Sequence, residues 1–277
     1  MKLGVIIGMT DRPEEAIARV AGLGLPSCQI SAWSDLYTPD LARRLRAAAD
    51  GAAVEITTLW AGWPGPRVWN FIEGPTTIGI VPPAWRPVRV DALKQGADFA
   101  AEVGIPGIST HVGFIPENPS DPEYPGVLAA LRDVAGHARE RGLEFWFETG
   151  QETPVTLLRT IQDLGLDNLG INYDPANLLM YGKANPVDAL DIIGKYVRGV
   201  HAKDGEYPTN GRELGVEKPL GEGRVNYPAF IARLRSLGFD GALTIEREIH
   251  GPQQTADIRR AIEYLGGLIV AESTSGT

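Results

Sequence analysis

Short β-rich apolar runs alternate with helical patterns from one end of the chain to the other. The runs predict strands near 2–7, 28–31, 53–59, 107–112, 144–148, 169–174, 197–202 and 242–247. Apolar residues at helical spacing fill the intervals, and strand–helix alternation of this kind is the pattern of a parallel sheet. Eight strands are what a closed parallel barrel requires. The expected fold is therefore α/β, a single (β/α)8 TIM barrel. Helices are expected to start at Pro13, Pro39, Pro154, Pro186 and Pro228, because proline in a first turn gives up only an N–H that has no partner. Gly22, Gly51, Gly104, Gly142, Gly165 and Gly238 fit left-handed caps at helix ends. A further helical segment near 253–269 closes the barrel floor or packs along its side. The composition never changes regime, so one domain is expected over 1–272, followed by a polar tail at 273–277.

The connection from about 60 to 87 breaks the rhythm. It holds Trp60, Trp63, Trp69, Phe71 and Trp85 among prolines and glycines. A connection longer than about 15 residues is usually functional or disordered, and this one is too aromatic for disorder. It follows the third strand. One reading makes it a lid or pocket wall, with Trp60 and Trp63 stacking on sugar faces. The other makes it a hydrophobic cluster or an oligomer contact.

At 277 residues the chain is long for one domain unless it is an α/β barrel, which takes about 250. A formal charge of −9 argues against nucleic acid and anionic membrane surfaces, which call for a basic stripe. The one cysteine, Cys28, rules out an internal disulfide and a thiolate metal cluster. The opening MKLGVIIG is too short for a signal-peptide core, and no run approaches the ~20 apolar residues of a membrane span. A soluble, cytoplasmic protein is expected.

Four polar residues close four of the apolar runs: Glu148 in EFWFETG, Asp174 in LGINYDP, His201 in VRGVHAKD and Glu246 in GALTIERE. They lie 26, 27 and 45 residues apart. A strand, helix and two loops take about 30 residues, so each would sit at the C-terminal end of a parallel strand, the catalytic face of such a barrel. Three carboxylates and an imidazole suit a hard divalent cation, Mn²⁺ or Mg²⁺ first, with Co²⁺ or Zn²⁺ tolerated. Taken singly, each has a plainer reading: a carboxylate paired with Arg247 or Lys203, a core histidine, an Asp-Pro turn. Together they point to a metal site that polarises a carbonyl and stabilises an enediolate. Glu148 and Glu246, on nearly opposite sides of the mouth, are the candidate acid/base pair, removing a proton from one face and returning it to the other.

Around this set, His111 in ISTHVGF is expected to contact substrate, with no carboxylate obviously beside it. Gln151, Glu152 and Asn177 could hydrogen-bond sugar hydroxyls. Lys203 shares the inward parity of His201 and is either an electrostatic stabiliser or general acid, or the partner of Asp204 or Glu222 in a salt bridge. In the turn PLGEG, Glu222 would repel a phosphate, which favours an unphosphorylated sugar. No dinucleotide fingerprint, nucleophile elbow or Walker loop is present.

FETGQETP, NYDPANL, VHAKDG, PLGEGRVNYPAFI and LTIERE resemble the xylose isomerase-like barrels, and the resemblance spans nearly the whole chain. It implies one Mn²⁺, Mg²⁺ or Co²⁺ ion held by Glu148, Asp174, His201 and Glu246, with Glu148 and Glu246 doubling as acid and base. The ketose epimerases of that group carry a histidine where this chain has Asn177 and an arginine where it has Tyr207, while HAKD is closer to inosose dehydratases and enzymes of keto-glycosides. The expected activity is a metal-dependent isomerase or epimerase of an unphosphorylated sugar or keto-sugar. The alternative is a lyase or dehydratase on the same metal site, with Lys203 or His111 assisting the leaving group. The expected partner is a small carbohydrate, and a homodimer or homotetramer is expected by analogy.

Overall fold

The computed structural model describes residues 1–271, and the polar tail expected at 273–277 lies outside the described residues. Seven strands follow one another around a ring: β1 (Lys2–Gly8), β2 (Ser27–Ala32), β3 (Glu55–Ala61), β4 (Gly107–Thr110), β5 (Glu144–Glu148), β6 (Leu169–Tyr173) and β7 (Val197–Ala202). Two short strands, β8 (Asp204–Gly205) and β9 (Glu217–Lys218), then form an antiparallel ribbon beyond the ring. The last strand, β10 (Ala242–Ile245), pairs with β7 and β1 and closes an eight-stranded parallel barrel. This is the single (β/α)8 TIM barrel that the alternation of patterns predicts.

The helices cover the strands because each buries one apolar stripe. Ala16, Ile17 and Val20 are the buried face of Pro13–Gly22, and Leu41, Ala42, Leu45 and Ala49 that of Pro39–Ala52. Thr38 and Thr153 cap their helices through side-chain oxygens that accept from Leu41 N and Thr156 N, each at 3.3 Å. Pro13, Pro39, Pro154 and Pro186 each hold a first helical position, and Pro228 a second. Gly104, Gly142, Gly165 and Gly238 have positive φ, as expected of caps. Gly22 and Gly51 do not. Gly22 is the last residue of its helix and Gly51 lies within its own; the left-handed residues are Gly24 and Ala53, and the Ala53 N–H returns to Ala49 O and Asp50 O. The final helix, Pro252–Ala271, packs along the side against β1 and β10 rather than across the floor.

Inside the barrel, Trp146 of β5 fills the lower end, with its indole N–H donated to Glu144 Oε2 at 2.6 Å. Gly199 of β7 makes room for it: a Cβ there would stand 3.1 Å from the Trp146 ring and 3.0 Å from Asn172 Oδ1. The connection after β3 is ordered from within. Arg89, completely buried, donates to the carbonyls of Pro64 (3.1 Å), Gly79 (2.6 Å) and Pro66 (2.7 Å). Among the described residues, no helix is long and apolar enough to cross a membrane.

Candidate metal centre and active site

The four spaced residues meet at the C-terminal mouth of the barrel. Glu148 is the last residue of β5 and His201 lies near the end of β7, in register with Thr244 of β10. Asp174 and Glu246 stand one residue beyond β6 and β10, so the expected strand bounds of 174 and 247 overrun the ladder slightly. Thr149 clamps Asp174: its Oγ1 accepts from Asp174 N (2.7 Å) and donates to Asp174 O (3.0 Å). Asp174 Oδ1 in turn accepts from Asn177 N at 2.8 Å and caps the helix Pro175–Met180. Glu246 N is donated to Ala202 O at 3.1 Å.

One ligand atom from each of the four residues lies within 4.8 Å of the others. His201 Nδ1 is 3.1 Å from Glu148 Oε1, 3.1 Å from Glu246 Oε2 and 3.9 Å from Asp174 Oδ2. Asp174 Oδ2 is completely buried and has no hydrogen-bond partner. A buried acceptor of this kind is costly unless a cation meets it. The charges say the same. Burial pushes the Asp174 carboxyl up to about 7 even though Lys203 opposes the shift. Burial also works against Glu246, but Lys203 and His201 outweigh it and bring that carboxyl down to about 2. For Glu148, the imidazoles of His111 and His201 overcome burial and hold the carboxyl well below its usual range. Burial disfavours the His201 imidazolium, yet Glu246 and Glu148 lift its pKa well above the ordinary value. Three carboxylates therefore share too little positive charge here, and Asp174 is the one left to hold a proton. Hard oxygens, one imidazole nitrogen and a deficit of positive charge fit a divalent cation.

A cavity of about 230 Å³ opens over the cluster. Glu148, Glu246, His111, Asn177 and Trp60 are on its wall, as are Trp33, Trp69, Tyr181, Met180 and Glu248. Trp60 donates its indole N–H to Glu148 Oε2. His111 does have a carboxylate beside it, contrary to expectation: its Nε2 is 3.1 Å from Glu148 Oε1. The two are 37 residues apart in sequence and are adjacent only because β4 pairs with β5. Trp63 is buried behind the wall, its ring centroid 5.9 Å from Trp60 and 6.2 Å from Trp69. Gln151 and Glu152 are buried as well and lie off the cavity wall, and burial pushes the Glu152 carboxyl up to about 7.

Lys203 pairs with neither Asp204 nor Glu222. Its buried Nζ lies 3.0 Å from Glu248 Oε1, 3.5 Å from Glu246 Oε2 and 3.7 Å from Asp174 Oδ2. Asp204, pointing the other way from its neighbour, is consumed by backbone. Oδ1 accepts from Gly205 N (2.9 Å) and Val225 N (3.0 Å), and Oδ2 accepts from Gly221 N (3.0 Å) and Gly223 N (3.1 Å). Gly223 is required for this approach, because a Cβ there would sit 2.1 Å from Asp204 Oδ1. Glu222 is exposed and lies 3.7 Å from Arg260. Arg247, offered as a partner for the ligands, is instead 2.8 Å from both Glu217 and Asp257.

The sequence gives little sign of three contributors. Gln29 of β2 reaches His201, Thr149 clamps Asp174, and Trp33 extends the aromatic wall, its ring centroid 5.6 Å from Trp60. Only a lone amide inside the apolar run SCQISA hints at the first.

Comparison with known proteins gives a consistent picture. The pattern that defines the xylose isomerase-like TIM barrel matches residues 17–267. A xylose isomerase domain protein from Planctomyces limnophilus is 36% identical, superposes with a TM-score of 0.91 and shares 96% of each chain. The 3-keto-D-glucoside 4-epimerase of E. coli shares the fold at 19% identity, with a TM-score of 0.70 over 96% of this chain and 98% of that one. An uncharacterized protein of Methanocaldococcus jannaschii is 27% identical over 174 residues, a match that covers 59% of this chain and 58% of the relative.

Proposed function

Because the chain belongs to the xylose isomerase-like TIM barrel family, we propose that it is a divalent-metal-dependent isomerase or epimerase of an unphosphorylated sugar or keto-sugar. The observation that carries this reading is the convergence of Glu148, Asp174, His201 and Glu246 under a small cavity, with Asp174 Oδ2 buried and unpartnered. These four residues would hold the ion, Mn²⁺ or Mg²⁺ by the hardness of the donors. A divalent cation there supplies Lewis acidity toward a carbonyl and an adjacent hydroxyl, which makes the neighbouring C–H acidic enough to exchange.

The chain's own groups do the rest. Glu148 takes the proton from one face of the substrate carbon, and Glu246 returns one to the other. The two carboxylates have different supports: Trp60 and His111 steady Glu148, while Lys203 sits beside Glu246. Trp60 and Trp69 offer flat apolar faces to a sugar ring, and Asn177 and His111 offer polar edges. A neutral substrate is favoured by two features. Glu148, Glu246 and Glu248 line the cavity, and the backbone amides after β7, a common phosphate seat in such barrels, are already taken by Asp204.

A second reading, elimination of a β-leaving group from a keto-sugar, draws on His111, whose imidazole lines the cavity beside Glu148 and could protonate a departing oxygen. Incubation with keto- and aldo-sugars and Mn²⁺ in D₂O, followed by NMR, separates the two. Deuterium in a recovered isomer supports isomerisation or epimerisation, and a new double bond supports elimination. Glu246→Gln should keep measurable Mn²⁺ binding and lose turnover by at least about a hundredfold. Near-normal turnover would remove Glu246 from the proton-carrying role.

A further inference from the structure

We infer that Gln29 is a positioning residue for the ion: it fixes the His201 tautomer that leaves Nδ1 free to act as a ligand. This rests on the reading that Glu148, Asp174, His201 and Glu246 hold a divalent cation. Gln29 projects from β2, three strands from β7 around the ring, and is completely buried. Its Oε1 lies 2.7 Å from His201 Nε2, and its Nε2 donates to Asn172 Oδ1 at 3.0 Å.

A carboxamide oxygen has lone pairs and no proton to give, so His201 must donate through Nε2. The other ring nitrogen, Nδ1, then faces the carboxylates of Glu148, Glu246 and Asp174 at 3.1, 3.1 and 3.9 Å. On a neutral ring of this tautomer Nδ1 carries a lone pair aimed at acceptor oxygens, an arrangement that a cation between them makes favourable. Turning the Gln29 amide over would set its NH₂ against His201 Nε2 and require the proton on Nδ1. No lone pair would then remain for an ion.

Asn172 is coupled to that turn, because its Oδ1 accepts from Gln29 while its own Nδ2 has no hydrogen-bond partner. With Gln29 reversed, the two amide oxygens would face each other, and Asn172 would have to reverse as well. The backbone makes space for the amide pair. Gly199, paired with Asn172 and two residues before His201, has no side chain where a Cβ would stand 3.0 Å from Asn172 Oδ1 and 3.4 Å from Gln29 Nε2. The chain from Asn172 through Gln29 to His201 thus joins β6, β2 and β7 across the barrel interior just beneath the ligand cluster.

The test uses the full chain, stripped with a chelator and titrated with Mn²⁺ by calorimetry. Gln29→Met keeps the length of the side chain and removes the acceptor, and should weaken Mn²⁺ binding on the order of 10–100-fold. Gln29→Glu restores an acceptor for Nε2–H and should bind within about threefold of wild type or more tightly. Long-range ¹⁵N–¹H correlation on the Mg²⁺-loaded wild-type protein, which has four histidines, should show His201 protonated at Nε2. A folded Gln29→Met protein that binds Mn²⁺ within twofold of wild type overturns the inference. A metal-loaded His201 protonated at Nδ1 does the same, and this measurement decides the matter if Gln29→Met fails to fold. A wild-type protein that binds no Mn²⁺ or Mg²⁺ overturns the metal reading itself, which is a different failure from equal binding by wild type and variant.

Discussion

Asp204→Ala should cost the protein several kcal/mol although Asp204 touches neither the ligand cluster nor the cavity wall. The substitution strips the carboxylate from four backbone N–H groups. Those of Gly205 and Val225 are buried and would be left unpaired, whereas those of Gly221 and Gly223 lie on a partly exposed turn and can turn to water. A hydrogen bond to a charged group contributes about 1.5–3 kcal/mol, so the two buried bonds predict a loss of about 3–6 kcal/mol. With a urea dependence of about 2–3 kcal/mol per molar, the unfolding midpoint should fall by about 1–3 M. Asp204→Asn keeps one oxygen and turns an NH₂ toward two amide donors, so it should fall between wild type and Asp204→Ala. The four N–H groups of the alanine variant form a concave anion seat. Inorganic phosphate should therefore restore part of its stability and leave the wild-type midpoint unmoved. An Asp204→Ala midpoint equivalent to less than about 1 kcal/mol would refute the bookkeeping, and equal responses of wild type and variant to phosphate would refute the seat.

Metal affinity should also depend on pH in a defined direction. Burial raises the Asp174 carboxyl to about 7 in the metal-free protein, so below that pH an incoming cation must displace a proton. The His201 imidazolium, lifted well above its ordinary value, must also lose a proton before Nδ1 can act as a ligand. Apparent Mn²⁺ affinity should weaken by about tenfold per pH unit for each proton displaced, with the dependence steepening below 7 and persisting above it, and equal calorimetric affinities at pH 6 and pH 8 would contradict this. Arg89→Met removes three guanidinium bonds to the carbonyls of Pro64, Pro66 and Gly79. It should lower the thermal midpoint on the order of 5–10 °C and open the 64–79 stretch to limited proteolysis. A wild-type digestion pattern would show that the guanidinium does not hold that connection.

The convergence of the four candidate ligands was legible in the sequence for a geometric reason. A strand of a parallel barrel delivers its last inward side chain to the mouth, so Glu148, Asp174, His201 and Glu246 needed only the right residue type at a strand's end. Contacts that cross the ring carry no such signature. Gln29 and His201 are 172 residues apart, and Trp60 and Glu148 are 88 apart. Their meeting depends on strand order and on which residues point inward, and neither position differs from an ordinary strand residue when read locally. The salt bridge from Lys203 to Asp204, one of the alternatives for that lysine, does not form, for the opposite reason. Neighbours on an extended chain point to opposite sides, so adjacency in sequence kept them apart. Glu222 had the right charge to discourage phosphate, but the amides that would seat one are filled by a residue 18 positions earlier, a fact about loop closure that composition does not carry.

The indole of Trp60 belongs to two structures at once. Its N–H is bonded to Glu148, and its ring stands 5.6 Å from Trp33 and 5.9 Å from Trp63, with Trp69 a further 6.2 Å beyond Trp63. At such spacings excitation passes readily from ring to ring, so these indoles would respond as a group whose middle member is tied to a candidate ligand. An ion that re-aimed Glu148 would alter the hydrogen bond on this central indole, and a sugar laid on Trp69 would alter the outer end of the cluster. Emission and near-ultraviolet dichroism would then report occupancy of the site without a label, before any product has formed.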